Sequence, residues 1–175
     1  MNRHPTLLVS LATLTLLASG GCSMARTLQP DTPSIAAPAM MQFGASLDTM
    51  RAAFDAACET YDVRELSPAD LPIATTSHVQ VDCRGFDHAG AVRLAEFVFA
   101  DDALAFVWVL TDASEETVLR AALEASFGTP THDADAIIAF ADSHTALRRD
   151  VPELLYYSPD IADMYRAFFD QMAAQ

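Results

Sequence analysis

The chain has no lysine: its ten basic side chains are all arginine, set against 24 Asp and Glu for a formal charge of −14. That balance excludes nucleic acid as a partner, because phosphate binding relies on clustered cationic side chains. It also disfavours direct adsorption on an anionic lipid surface and leaves basic proteins as the electrostatically suited partners. Long apolar runs are equally scarce. Leu7 to Leu17 is the only one, at eleven residues, against the roughly 20 that a spanning helix needs. No Gly-x-Ser-x-Gly, His-Glu-x-x-His, Gly-x-Gly-x-x-Gly, phosphate-loop or calcium-loop pattern follows it. The common hydrolase, metalloprotease and nucleotide-binding classes therefore lack sequence support, and no catalytic residue, metal ligand or cofactor is assigned. The remaining polar clusters are better read as loops. They are Asp142-Ser143-His144, His132 with Asp133 and Asp135, Asp87-His88, Asp101-Asp102 and Glu115-Glu116.

What is present begins with location. Arg3 precedes the apolar run, and Ala18-Ser19-Gly20-Gly21-Cys22 closes it, the tripartite layout of an export signal over residues 1–21. Small residues directly before a cysteine resemble the lipobox of bacterial lipoproteins, here with Ser19 where that family favours Leu. The resemblance implies cleavage before Cys22, a diacylglycerol on its thiol and a further palmitate-type chain on its amino group. Ser23 stands where inner-membrane lipoproteins carry Asp, which implies the outer membrane, with the protein facing the periplasm. Ordinary signal cleavage, leaving Cys22 as a periplasmic thiol, is the alternative.

Three cysteines occur in all. With Cys22 assigned to lipid, Cys58 and Cys83 remain in an oxidising compartment and are expected to pair; a reactive or metal-binding pair is the other reading. Residues 22–42, with Pro30, Pro33 and Pro38 among small polar residues, read as the lipidated cysteine and a disordered linker. A single periplasmic domain is expected over 43–175.

Within that domain, Leu47, Met50, Phe54, Ala57, Cys58 and Tyr61 recur at helical spacing behind Ser46. The next stretch, to Ser77, holds Pro68 and Pro72 and reads as a long loop. His78 to Cys83 alternates as a strand, Gly85 to Gly90 as a turn, and Leu94–Ala100 with Ala103–Leu110 as a hairpin around Asp101-Asp102. A second helix follows Ser114 and ends at Gly128. Three short strands follow, over Ala136–Ala141, Thr145–Arg149 and Glu153–Tyr157. A last helix after Ser158-Pro159 shows a stripe of Ile161, Met164, Tyr165, Phe168 and Met172, with Phe169 off it. The expected class is α+β, an antiparallel sheet packed by helices with a C-terminal helix. The order also suggests a tandem helix-plus-three-strand repeat.

This layout, with Phe43-Gly44-Ala45-Ser46 at one helix entry and Phe127-Gly128-Thr129-Pro130 at another helix exit, resembles the small lipoproteins of the outer-membrane barrel-assembly machinery and the related β-lactamase-inhibitor fold. In that group such signatures bracket one helix; here they bracket two. The resemblance implies a binding role in the envelope. The functional expectation is thus a lipid-anchored, non-catalytic binding or scaffold module for an envelope protein partner. An inhibitor of an envelope enzyme is the alternative, and a hydrolase using acids around the Pro68–Ser77 loop a more distant one. Arg149, Tyr156, Tyr157 and Phe169 are the partner-binding candidates, as a basic group and large aromatics near a terminal element.

Overall fold

The computed structural model describes residue 33, residues 35–67, residue 69 and residues 71–174. The expected signal segment and Cys22 lie outside the described residues. Helix α1 (Leu47–Ala57) begins where Ser46 accepts a hydrogen bond from the Thr49 N–H, and it turns Met50 and Phe54 inward. Eight strands follow: β1 (Thr60–Glu65), β2 (His78–His88), β3 (Ala91–Ala100), β4 (Ala103–Leu110), β5 (His132–Ala134), β6 (Ile137–Phe140), β7 (Thr145–Arg148) and β8 (Glu153–Tyr157). Helix α2 (Glu116–Phe127) separates β4 from β5, and α3 (Ala162–Ala173) follows β8. One sheet holds all eight strands in the order β1-β2-β3-β4-β8-β7-β6-β5, every neighbour antiparallel.

This is the expected α+β class, and its symmetry goes further than the sequence pattern. A helix followed by four strands occurs twice, and the halves meet at β4 and β8 as if related by a two-fold axis through the sheet. The sequence misses one strand in each half. Five of the six β1 residues are exposed, and its alternation is limited to Tyr61 and Val63, of which Tyr61 also continues the α1 spacing; its ladder with β2 defines it. In the second half, β5 is only three residues long.

The expected turn at Gly85 is instead a bulge inside β2, where the pairing with β3 slips between Arg84 and Phe86. Gly85 has φ +77°, and a Cβ there would meet the Glu59 Cβ at 2.5 Å, so the crossing of the α1–β1 link is open only to glycine. The true β2–β3 turn is Ala89-Gly90. Asp101 and Asp102 form the tight β3–β4 turn, both with positive φ, as a two-residue hairpin requires.

The two sheet faces are covered unequally. On the first, α1 and α2 press Met50, Phe54, Leu119 and Leu123 onto Val81, Phe97, Val107 and Leu154. The Cys58–Cys83 disulfide, with Cα atoms 5.3 Å apart, ties the end of α1 to the middle of β2. Ile35 and Met41 are also buried here, so the expected linker to residue 42 is corrected: ordered packing reaches back to Ile35. Single apolar side chains among prolines carry no periodicity, yet each fills a gap at the rim of the core. On the second face, α3 covers the β5–β8 half, while among the described residues the segment around Leu71–Ala74 meets the other half.

A candidate binding groove

Between that segment and α3 the second face opens into a groove of about 560 Å³. Its floor is Phe106 and Trp108 of β4, placed there by strand alternation, since Val107 and Val109 point to the opposite face. One wall is Leu71, Pro72 and Ile73; the other is Met164, Tyr165 and Phe168 of α3. The lining is apolar apart from Arg148, whose guanidinium carbon lies 5.2 Å from the centre of the Trp108 ring.

Asp101 in the β3–β4 turn holds the loop wall. Its carboxylate accepts from the backbone N–H groups of Thr75, Thr76 and Ser77 and from both threonine hydroxyls, at 2.6–3.0 Å. These bonds, that from Ser77 foremost, hold its carboxyl far below the usual range. A carboxylate so occupied is a loop anchor and a poor general acid or base at physiological pH. Helix α3 supplies the other wall through a phase different from the expected stripe: Tyr165 and Phe169 are the buried positions, while Met164 and Phe168 are 38% and 44% exposed. The side that packs is set by Tyr157 and His132, whose rings lie against Phe169.

Beyond Arg148 the floor turns polar. The guanidinium donates to Glu153 at 2.6 Å and to both Asp150 oxygens at 3.0 and 3.2 Å. Glu153 is 5% exposed. Burial, with Glu96 adding to it, outweighs the Arg148 attraction and pushes its carboxyl up to about 7. In the other direction the ladder places Trp108 opposite Glu96, Glu96 opposite Asp82 and Asp82 opposite Asp62, all on this face. Asp82 accepts both arms of Arg64 and the Gln80 amide, at 2.8–2.9 Å. Burial and the neighbouring Asp82 raise the Glu96 carboxyl.

The partner-binding candidates fall elsewhere. Tyr156, Tyr157 and Phe169 are each at most 1% exposed, which corrects their placement on the surface. The Tyr156 hydroxyl donates to the Ile35 carbonyl at 2.8 Å and accepts from His88 Nε2 at 2.7 Å, pinning the N-terminal segment to the core. Burial pushes the Tyr157 hydroxyl up to about 12, and its ring lies against Tyr165. Arg149 is held by Glu116, Asp133 and the Ala134 carbonyl at 2.8–3.2 Å. The Arg doublet therefore splits across the strand, and its groove-facing member is Arg148. Phe168 was legible as an apolar α3 position; its exposure was not. Among the described residues no cluster of His, Cys, Asp and Glu is arranged to hold a metal ion, and no helix is long and apolar enough to cross a membrane.

Comparison with protein-family models, curated proteins and solved structures finds no match to this chain.

Proposed function

We propose that the chain is a lipid-anchored envelope protein that works by binding a protein partner, without chemistry of its own, and that the groove between the Leu71–Ile73 wall and α3 receives an apolar segment of that partner. The groove itself carries this reading. Large half-exposed apolar side chains, Phe168 and Met164, stand over an aromatic floor in a chain whose surface is otherwise strongly acidic. Contiguous apolar surface of this kind with a polar rim is characteristic of interaction sites. A partner that filled it would desolvate Trp108 and Phe168, the side-chain types that dominate binding hot spots. An inhibitor role would use the same surface with an enzyme as the partner.

The anchor sets the geometry in which such binding occurs. With Cys22 in the outer membrane and Ile35 packed on the core, 13 residue steps separate lipid from fold, a reach of at most about 45 Å. That confines the groove to partners at or close to the membrane. Two or more acyl chains hold the protein there stably, whereas a single chain binds reversibly.

Site-specific photo-crosslinking in intact cells tests the reading. A photoreactive residue at position 168 is expected to give a discrete protein adduct that is lost in the Cys22→Ser variant. One at Val118, 58% exposed on α2 and over the other sheet face, is expected to give none. Equal labelling from both positions, or none from 168, rules out the groove as the binding surface. Release of the protein from membranes without any change in mass at Cys22 counts against the anchor.

A further inference from the structure

We infer that the occupant of this face is a cationic amphipathic helix of the partner, seated with its apolar residues in the groove and its basic residues along the acidic ladder beside it. The inference rests on the groove being the binding surface and adds the chemistry of what binds.

Three observations converge. The first is the seat. Helix α3 covers the second face of the β5–β8 half, packing chiefly on β5 and β6. The two-fold relation that exchanges β4 with β8 carries β5 and β6 onto β1 and β2. Among the described residues no helix occupies that position, the symmetric counterpart of the α3 seat beside the groove. The second is its floor. The α3 seat is apolar, built on Ala139, Ala146, Leu155 and Tyr157. The corresponding floor runs Trp108, Glu96, Asp82, Asp62 in one cross-strand row, about 14 Å at the usual strand spacing; Asp82 is 9% exposed, bonded to Arg64 and Gln80, and Asp62 is the exposed end. The third is the charge. Acids directly opposite one another in a sheet are unfavourable. Here Arg64, committed to Asp82, and the exposed Arg84, two residues along β2 on the same face, are the cations beside the row, so the three acids outnumber them. At the other end of the groove Arg148 is shared between Asp150 and Glu153. The ladder margin is thus net negative, while at the Arg148 end the Glu153 carboxyl, pushed up to about 7, leaves little excess charge near neutrality.

A second copy of this chain, at −14, or an anionic lipid surface would meet like charge here. A helix with Lys or Arg on one side and Leu-type residues on the other meets opposite charge and an apolar floor together. A helix of about 14 residues, some 21 Å long, spans the row and the groove.

The chain's one tryptophan, Trp108, lies where groove and ladder meet and reports occupancy directly. The probes are three 14-residue amphipathic helical peptides with the same Leu face and a polar face of Lys, Glu or Gln, titrated into the full chain while Trp108 emission is followed. The Lys peptide is expected to bind saturably with a blue shift. Glu96→Gln with Asp62→Asn is expected to weaken it about fivefold, the size of two exposed charge contacts. Asp48→Asn with Asp55→Asn, which removes equal charge from exposed positions on α1, over the other sheet face, is expected to change it less than twofold. If the Glu or Gln peptide binds as tightly as the Lys peptide, or if the remote pair matters as much as the ladder pair, the cationic occupant is overturned while the groove reading stands. If none of the three shifts Trp108, or Phe168→Ala leaves Lys-peptide binding unchanged, the groove reading is overturned as well.

Discussion

Two buried ionisable groups oppose one another in their dependence on pH. His88, in the core beside Tyr156, is held neutral with its pKa lowered to about 4 by burial and then by Arg93. Its unfolded value is near 6.5, so the unfolded chain binds more protons between these values. Stability from this group is complete above about 6.5 and is lost as pH falls toward 4. Glu153 runs the other way: its folded value is about 7 and its unfolded value near 4.5. Here the folded chain holds the extra proton, and the associated stability is lost as pH rises toward 7. Between pH 5 and 7 the two trends cancel in part. Thermal unfolding should therefore show a steeper gain in Tm from pH 5 to 7 for Glu153→Gln than for the unaltered chain. His88→Gln, which keeps a donor for Tyr156, should show a loss over the same interval. Parallel profiles for all three proteins would contradict both assignments. Arg93 is a different kind of buried charge. Its guanidinium caps the His88, Ala89 and Leu110 carbonyls and grips Glu115 through two 2.8 Å bonds, so that the β2–β3 turn, the end of β4 and the start of α2 form one junction. No local pattern marks Arg93 for this role, because its partners come from three separate segments.

At the level of elements, the groove exists because one loop is held rigid. The β1–β2 connection packs Leu71, Ile73 and Ala74 on the second core and is tied by Asp101, which sits some 25 residues away in the β3–β4 turn. Asp101→Ala removes the acceptor for three backbone N–H groups while leaving the sheet registers intact. Hydrogen exchange at Thr75–Ser77 and proteolysis near Leu71 should both accelerate, and a Trp108-reported ligand should bind more weakly, with only a minor change in global unfolding. Unchanged exchange at these amides would show the loop to be held by its apolar contacts instead. The sequence marked residues up to Ser77 as a loop and Asp101-Asp102 as a turn, but not that one organises the other. A carboxylate in a turn has many local uses, and only the hairpin's position beside the loop selects this one. The phase of α3 has the same origin. Its apolar residues allow more than one inward stripe, and the sheet beneath chooses Tyr165 and Phe169.

On the scale of the molecule, the disulfide joins the two layers of the first core, α1 and the sheet, across a sequence separation of 25. Constraining a loop of that length contributes about 3.5 kcal/mol in the chain-entropy model, a large share of a domain's net stability. Cys58→Ser with Cys83→Ser should lower stability by roughly that amount in denaturant unfolding. Reductant should lower the unaltered chain to the same level and leave the variant unmoved. A stability that does not respond to reductant would mean that the helix–sheet packing alone holds α1 in place. The apolar face of that helix makes packing substantial in any case: Phe54 lies against Phe97 and Phe99 with ring centroids 5.0 and 6.4 Å apart.

The amino-acid sequence by itself determined what depends on local chemistry. The helical spacing from Leu47 to Phe54, the alternation from His78 to Cys83, the two aspartates of a tight hairpin and the pairing of Cys58 with Cys83 were all readable, because each is written in the residues that form it. The export and lipidation proposed at Cys22 rest on the sequence alone, since such a signal is read as a linear stretch. Only the tertiary structure decided which side of each element faces what. It turned Tyr156, Tyr157 and Phe169 inward and left Phe168 half exposed. It separated Arg148 from Arg149, and it aligned Trp108, Glu96, Asp82 and Asp62 from four strands into one row. The reason is physical: a groove and a charge ladder are relations between segments distant in the chain, and those relations are set by sheet order and register, which no single stretch of residues encodes.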